Sequence, residues 1–221
     1  MFSRVIVADD LGSINQGVKG VLTNLGIHTI EQVQYCDDAY LKIKKGIKDN
    51  QPYQLLITDL SFKKDHREQK LVSGEALVEA LYKESIDINI IVFSIDDRLQ
   101  KVRSLFLNFN INAYVCKGRK GLDELAIAII DNYAKKQYLS PAVKNALSEK
   151  LDLEISDYDI RIITELSKGM SQDQISILFK EQNVSPSSLS SIEKRINKLK
   201  DQFQAVNTTH LITIVKDMGL I

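Results

Sequence analysis

The stretch Val5-Ile6-Val7-Ala8-Asp9-Asp10 decides the fold. Four apolar, mostly β-branched residues in unbroken succession suit a strand buried on both faces, as in a parallel sheet, and two carboxylates follow at its end. Comparable runs recur at 55–58, 90–94 and 113–116, with a weaker one at 28–34. Between the first two, Ile14, Val18, Val21, Leu22 and Leu25 step by three and four, and Gly26 follows as a helix stop. Residues 39–47, 74–82, 99–107 and 122–133 show the same helical spacing. Strand followed by helix, five times over, predicts an α/β class fold: a doubly wound, five-stranded parallel sheet spanning residues 1–134. The first strand is expected inside the sheet, beside a reversal of strand order.

The pattern changes after that. Residues 135–150 read as a linker in which Pro141 opens a short helix, and residues 151–221 hold helical patterns alone. Ser156 is an N-cap for a helix carrying Ile160, Ile163 and Leu166, which Gly169 ends. Ser171 starts a second helix with Ile175, Leu178 and Phe179. A third, with Ser185 as cap and Pro186 at its first position, carries Leu189, Ile192, Ile196, Leu199 and Phe203. A last helix begins at Thr208 or Thr209 and ends at Gly219.

Bulk composition fits two soluble domains: 221 residues, 44% hydrophobic and 26% charged, with ten glycines and three prolines, too few for a long disordered linker. Twenty-nine basic residues balance twenty-nine acidic ones, so net charge argues neither way about an acidic partner. Cys36 and Cys116 lie far apart without metal-ligand spacing, which predicts free buried thiols rather than a disulfide framework. The apolar run behind Met1-Phe2-Ser3-Arg4 is too short for a signal-peptide core or a membrane span. A cytoplasmic protein without a membrane partner is expected.

Open α/β sheets bind ligands beyond the carboxyl ends of their strands. Here those ends deliver Asp9, Asp10, Asp59, Ser94 and Lys117 to one rim. Singly, each is an ordinary cap or a solvated side chain; the ordered set is not. Three close carboxylates stay ionised only around a cation, and oxygen ligands with room for water suit Mg²⁺. A carboxylate can also accept a phosphoryl group, with Mg²⁺, Lys117 and the Ser94 hydroxyl each meeting one equatorial oxygen.

Val5-Ile6-Val7-Ala8-Asp9-Asp10, Leu56-Ile57-Thr58-Asp59-Leu60, Ile91-Val92-Phe93-Ser94 and Ala113-Tyr114-Val115-Cys116-Lys117 resemble the receiver domain of two-component response regulators, whose fold is flavodoxin-like. The resemblance covers roughly residues 1–135. It implies phosphorylation of Asp59 by a sensor histidine kinase, with Asp10 a direct Mg²⁺ ligand, Asp9 completing the acidic pocket and Ser61 offering its backbone carbonyl. Lys117 would bind the phosphoryl group, and Ser94 with Tyr114 would form the switch pair. One departure stands out: Phe62-Lys63 replaces the usual Met-Pro, and a long charged loop at 63–70 precedes Ser73-Gly74. That loop reads as solvated rather than as a kinase-docking element.

Leu166-Ser167-Lys168-Gly169-Met170-Ser171, with Gln137-Tyr138-Leu139-Ser140-Pro141 and the final Gly219-Leu220-Ile221, resembles LuxR-type (NarL/FixJ) helix-turn-helix output domains. The resemblance implies double-stranded DNA as partner, a homodimer when active, and the third helix as reader. Its exposed positions are expected to be Ser187, Ser188, Ser190, Ser191, Lys194, Arg195 and Lys198, with Arg195 reading guanine and Lys194, Lys198 and Lys200 on phosphates. The turn holds extra residues at 180–183, and Ser188-Leu189-Ser190 replaces the usual Thr-Val-Lys.

Two other functions compete with a phosphorylation-controlled transcription regulator. Residues 150–221 carry nine basic and ten acidic side chains, a net charge of −1, which suits a protein-binding output domain. A metal-dependent phosphohydrolase would need a cap domain that the sequence does not offer. Chemistry beyond self-phosphorylation on Asp59 is therefore not expected.

Overall fold

The computed structural model describes residues 1–63, 65–147 and 155–221. They fall into two compact units, one taking in Met1–Asp97 and Lys101–Lys144, the other Arg98–Gln100 and Asn145–Ile221. Parts of two predicted segments, 148–150 of the linker and 151–154 of the helical domain, lie outside the described residues, as does Lys64 in the charged loop.

The first unit alternates as the sequence predicts: β1 (Arg4–Ala8), α1 (Gly12–Asn24), β2 (Thr29–Val33), α2 (Cys36–Lys48), β3 (Leu55–Thr58), α3 (Gly74–Lys83), β4 (Asn89–Ser94), α4 (Leu99–Phe109), β5 (Ala113–Cys116) and α5 (Gly121–Tyr133). These strands pair in parallel, in the order β2-β1-β3-β4-β5. Strand order therefore reverses beside β1, as expected. Alternation along the strands sends Val5, Val7, Leu55 and Ile57 into a core with Val18 and Leu22 of α1 and Leu125 and Ile129 of α5. Ile6, Leu56 and Val92 are equally buried on the opposite face. The weaker 28–34 run is the edge strand, and only Val33 of β2 is fully buried.

The sheet has six strands rather than five. The extra one, β6 (Tyr138–Leu139), comes from the segment read as linker. It is too short to show a period, and it exists because the Tyr138 and Ser140 amides donate to the Asn112 and Tyr114 carbonyls along the free edge of β5. Pro141 opens a 3₁₀ turn, Pro141–Leu147, as predicted. Cys36 is buried and Cys116 only half-buried; both are free thiols.

The second unit contains α6 (Asp157–Ser167), α7 (Gln172–Glu181), α8 (Leu189–Gln202) and α9 (Thr208–Asp217). Ser156 and Ser171 cap α6 and α7 with reciprocal side-chain bonds from Asp159 and Gln174. Gly169 follows α6 with φ +89°, a conformation that other residues adopt only under strain. Ile162, Leu166, Ile175, Phe179, Ile192 and Ile196 form one core cluster. The cap predicted for α8 is corrected. Ser188, not Ser185, caps it, accepting from the Ser191 amide. The Pro186 and Ser187 carbonyls accept from the Tyr158 and Ser176 hydroxyls, which tie the turn before α8 to α6 and α7. Among the described residues, no helix is long and apolar enough to cross a membrane.

Candidate functional site

Strand register builds the acidic rim. Ala8 pairs with Thr58, so the next residues, Asp9 and Asp59, leave neighbouring strands side by side. Each continues the ladder by one bond: the Asp59 amide donates to the Ala8 carbonyl (3.0 Å) and the Asp9 amide to the Val33 carbonyl (3.1 Å). Ser94 pairs with Cys116 in the same way, and the Lys117 amide donates to the Ser94 carbonyl at 2.7 Å. Carboxylate oxygens of Asp9, Asp10 and Asp59 lie within 4.8 Å of one another. The Lys117 ammonium bridges two of them, 2.7 Å from Asp9 Oδ2 and 2.6 Å from Asp59 Oδ2.

Each carboxylate is also fixed by a main-chain amide. Leu11 donates to Asp9 Oδ1, Leu60 to Asp59 Oδ1 and Lys63 to Asp10 Oδ2. Three carboxylates and one ammonium leave a formal charge of −2 in a pocket where Asp9 and Asp59 are buried. Burial pushes the Asp9 carboxyl above its usual range, against the opposing pull of Lys117 and the Leu11 amide. A surplus of buried negative charge on oxygen-only donors is what a hard divalent cation neutralises, so the residues fit Mg²⁺.

The other predicted receiver residues occupy graded positions around this pocket. Ser94 is fully buried at the end of β4, and its hydroxyl oxygen lies 3.5 Å from the Asp96 amide. Tyr114 is fully buried within β5, its ring inward and its hydroxyl donating to the Asp96 carbonyl. Burial pushes its phenol up, so it stays a protonated donor. Ser61 is exposed on the loop leaving β3.

One residue of the site was quoted in the sequence without its role. Gly74 opens α3, and a Cβ there would sit 1.7 Å from the Asp59 carbonyl oxygen. Its own amide donates to the Leu60 carbonyl at 3.1 Å, which holds the start of α3 against the main chain that follows β3. The atom at fault is main chain, so nothing can rotate away. Gly74→Ala is expected to destabilise the first unit by roughly 1–3 kcal/mol and to displace Asp59. Urea unfolding measures the first effect, and hydrogen exchange of the Asp59 amide, which donates to the Ala8 carbonyl, the second.

In the second unit, Ser188, Ser190, Lys194 and Lys198 are exposed on α8 or at its start, whereas Ser187 and Ser191 are half-buried. The Ser188 hydroxyl donates to that of Ser191. Arg195 departs from expectation. Its guanidinium turns inward and grips both oxygens of Asp159, a fully buried carboxylate on α6. Asp159 carried no sequence signal beyond its place in the first turn of α6.

No family model matches the sequence, and no curated protein matches it. Solved structures do. The RcsB response regulator in complex with DNA superposes with a TM-score of 0.63 at 19% identity, over 97% of this chain and 98% of that one. A structure of two RcsB dimers bound to two parallel DNAs gives 0.62 at 20% identity, over 97% and 98%. The isolated REC domain of RcsB from Salmonella enterica serovar Typhimurium, with phosphomimetic BeF₃⁻, gives 0.53 at 21% identity, over 66% of this chain and 99% of that one. At such identities the likeness establishes the fold alone, an α/β domain built on a parallel sheet followed by a helical domain.

Proposed function

We propose that this chain is a phosphorylation-controlled, DNA-binding transcription regulator of a two-component system, accepting a phosphoryl group on Asp59. The observation that carries the reading is the cluster of Asp9, Asp10 and Asp59 at one strand rim, with Lys117 bridging Asp9 and Asp59. The fold shared with DNA-bound RcsB supports it.

The chemistry follows from the pocket. An Asp59 carboxylate oxygen attacks phosphorus in the donor, a kinase phosphohistidine or a small acyl phosphate. The new O–P bond forms as the donor's bond to phosphorus breaks. Lys117, already on Asp59 Oδ2, needs only to follow the negative charge onto a phosphoryl oxygen. Asp9, Asp10, Asp59 and the Ser61 carbonyl would hold Mg²⁺, which when bound neutralises charge on the transferring group. The buried Ser94 hydroxyl at the end of β4 is the neutral donor for another phosphoryl oxygen, and its shift would be felt by the Asp96 backbone that Tyr114 holds. Kinase recognition, dimerisation on phosphorylation and a cytoplasmic location belong to this reading.

On the DNA side, Lys194, Lys198 and Lys200 would contact phosphates from α8, with Ser188 and Ser190 at its exposed start. Arg195, committed to Asp159, leaves the set of base readers. Six lysines in a dimer predict that log K for DNA falls against log salt with a slope of about −5. Lys194→Ala should make that slope shallower by about one unit per copy. Titration of the phosphorylated full chain into duplex DNA at several salt concentrations measures both. The withdrawn Arg195 and the net charge of −1 over residues 150–221 favour one second reading, a protein-binding output domain. A folded, phosphorylated chain that ignores DNA even at low salt would select it.

A further inference from the structure

The charged loop before α3 is not merely solvated. It is fastened to the start of α2 at several points. Asp37 accepts two of its amides, Lys70 at 2.9 Å and Leu71 at 3.0 Å, one on each carboxylate oxygen. Arg67 makes a two-pronged bond to Asp38, at 2.6 and 3.0 Å. The same guanidinium stacks 4.4 Å from the Tyr35 ring centre, and the Tyr35 hydroxyl donates to Asp65. Asp65 in turn accepts the Arg67 amide at 2.9 Å, closing a compact turn. At the near end of this loop, the Lys63 amide donates to Asp10 Oδ2.

We infer that Tyr35, Asp37 and Asp38 are positioning residues for the Asp10 carboxylate, stapling the loop so that the Lys63 amide stays on it. The inference rests on the functional reading above, in which Asp10 binds Mg²⁺. A half-buried carboxylate on a rim has free side-chain torsions, and the Lys63 amide fixes them by occupying one oxygen while leaving the other to a cation. A long loop holds an amide in place only if its ordering entropy is offset elsewhere. The Arg67–Asp38 pair is too exposed to do this alone. Combined with the Asp37 bonds and the Tyr35 stack, it fixes both the backbone and a side chain of the loop. Partners one step removed from a metal set its affinity by orienting the ligands that touch it.

The test uses the full chain without phosphate. Arg67→Ala and Asp37→Asn should each raise the Kd for Mg²⁺, measured by calorimetry, about tenfold. Each should also lower hydrogen-exchange protection of the Lys63 amide in metal-free protein by about the same factor, with the urea midpoint unmoved. The charge exchange Asp38→Arg with Arg67→Asp should restore most of both. Unchanged Lys63 protection and Mg²⁺ affinity in Arg67→Ala would overturn the inference. So would losses that the exchange does not repair and that track the urea midpoint, which mark a structural role alone. If the unaltered chain takes up no Mg²⁺, the functional reading fails, and Lys63 protection still decides whether the staple holds that amide.

Discussion

Asp59→Asn is expected to abolish covalent labelling by acetyl phosphate, bringing it to background, while the chain stays folded. Asparagine keeps the shape of the side chain and can still accept from the Leu60 amide, so the loop after β3 keeps its start. What it loses is the nucleophilic carboxylate. The substitution also removes one of three crowded negative charges. At an effective dielectric constant near 20, its two repulsions across 4.8 Å, about 3 kcal/mol each, are about matched by an attraction of about 6 kcal/mol to Lys117 at 2.6 Å. Asp59→Asn should therefore unfold near the urea concentration of the parent. The neighbours make the result specific. Asp9→Asn and Asp10→Asn should weaken Mg²⁺ binding and slow labelling without removing the acceptor. Intact labelling in Asp59→Asn, read by acid-stable phosphate in the protein, would move the acceptor to another carboxylate of the cluster.

Arg195→Ala should collapse the second unit rather than merely weaken DNA binding. The side chain of Asp159 is 0% exposed and that of Arg195 24%. Among the described residues, the Asp159 carboxylate has beyond Arg195 only Ser156, whose amide and hydroxyl both donate to Oδ2. Removing the guanidinium leaves a buried carboxylate underpaired, at a cost of about 3–5 kcal/mol. Small domains have total stabilities of about 5–15 kcal/mol. Far-ultraviolet circular dichroism during urea unfolding should show the helical transition moving sharply down or merging with the baseline. Asp159→Leu combined with Arg195→Met should recover much of the loss, because paired apolar replacements remove the buried charge altogether.

The same pair sets an acid limit. Burial alone would raise the Asp159 carboxyl, but the Arg195 and Ser156 hydrogen bonds together hold it below its usual range. A carboxyl lowered by folding contributes stability that is complete above its unfolded value, near 3.9, and lost as pH falls through the folded value. The helical unit should lose stability below about pH 4. The apolar double replacement should remove that part of the acid sensitivity.

The sequence was legible where local chemistry repeats. Val5–Val7 and Leu55–Ile57 read as buried strands because their apolar runs leave no polar face. Ser156 and Ser171 read as helix starts because a serine hydroxyl just ahead of a helical apolar pattern satisfies a free amide of the first turn. Asp9, Asp10, Asp59 and Lys117 read as one site because a parallel sheet brings the carboxyl ends of its strands to one rim.

Other features depend on partners far along the chain. Arg195 and Lys194 look alike on a helical wheel. One is drawn inward by a carboxylate thirty-six residues away, and the other stays in solvent. β6 is two residues long and is defined only by the edge it joins. The 63–70 loop looks solvated by composition, yet Asp37 and Asp38 hold it from the start of another helix. The sequence by itself determined the alternation of elements, the order of the sheet beside β1 and the membership of the acidic rim, since these follow from periodicity and strand ends. Only the tertiary structure decided which charged side chains face solvent and which are consumed as internal ties, because pairing energy depends on distance in space and leaves no period in the chain.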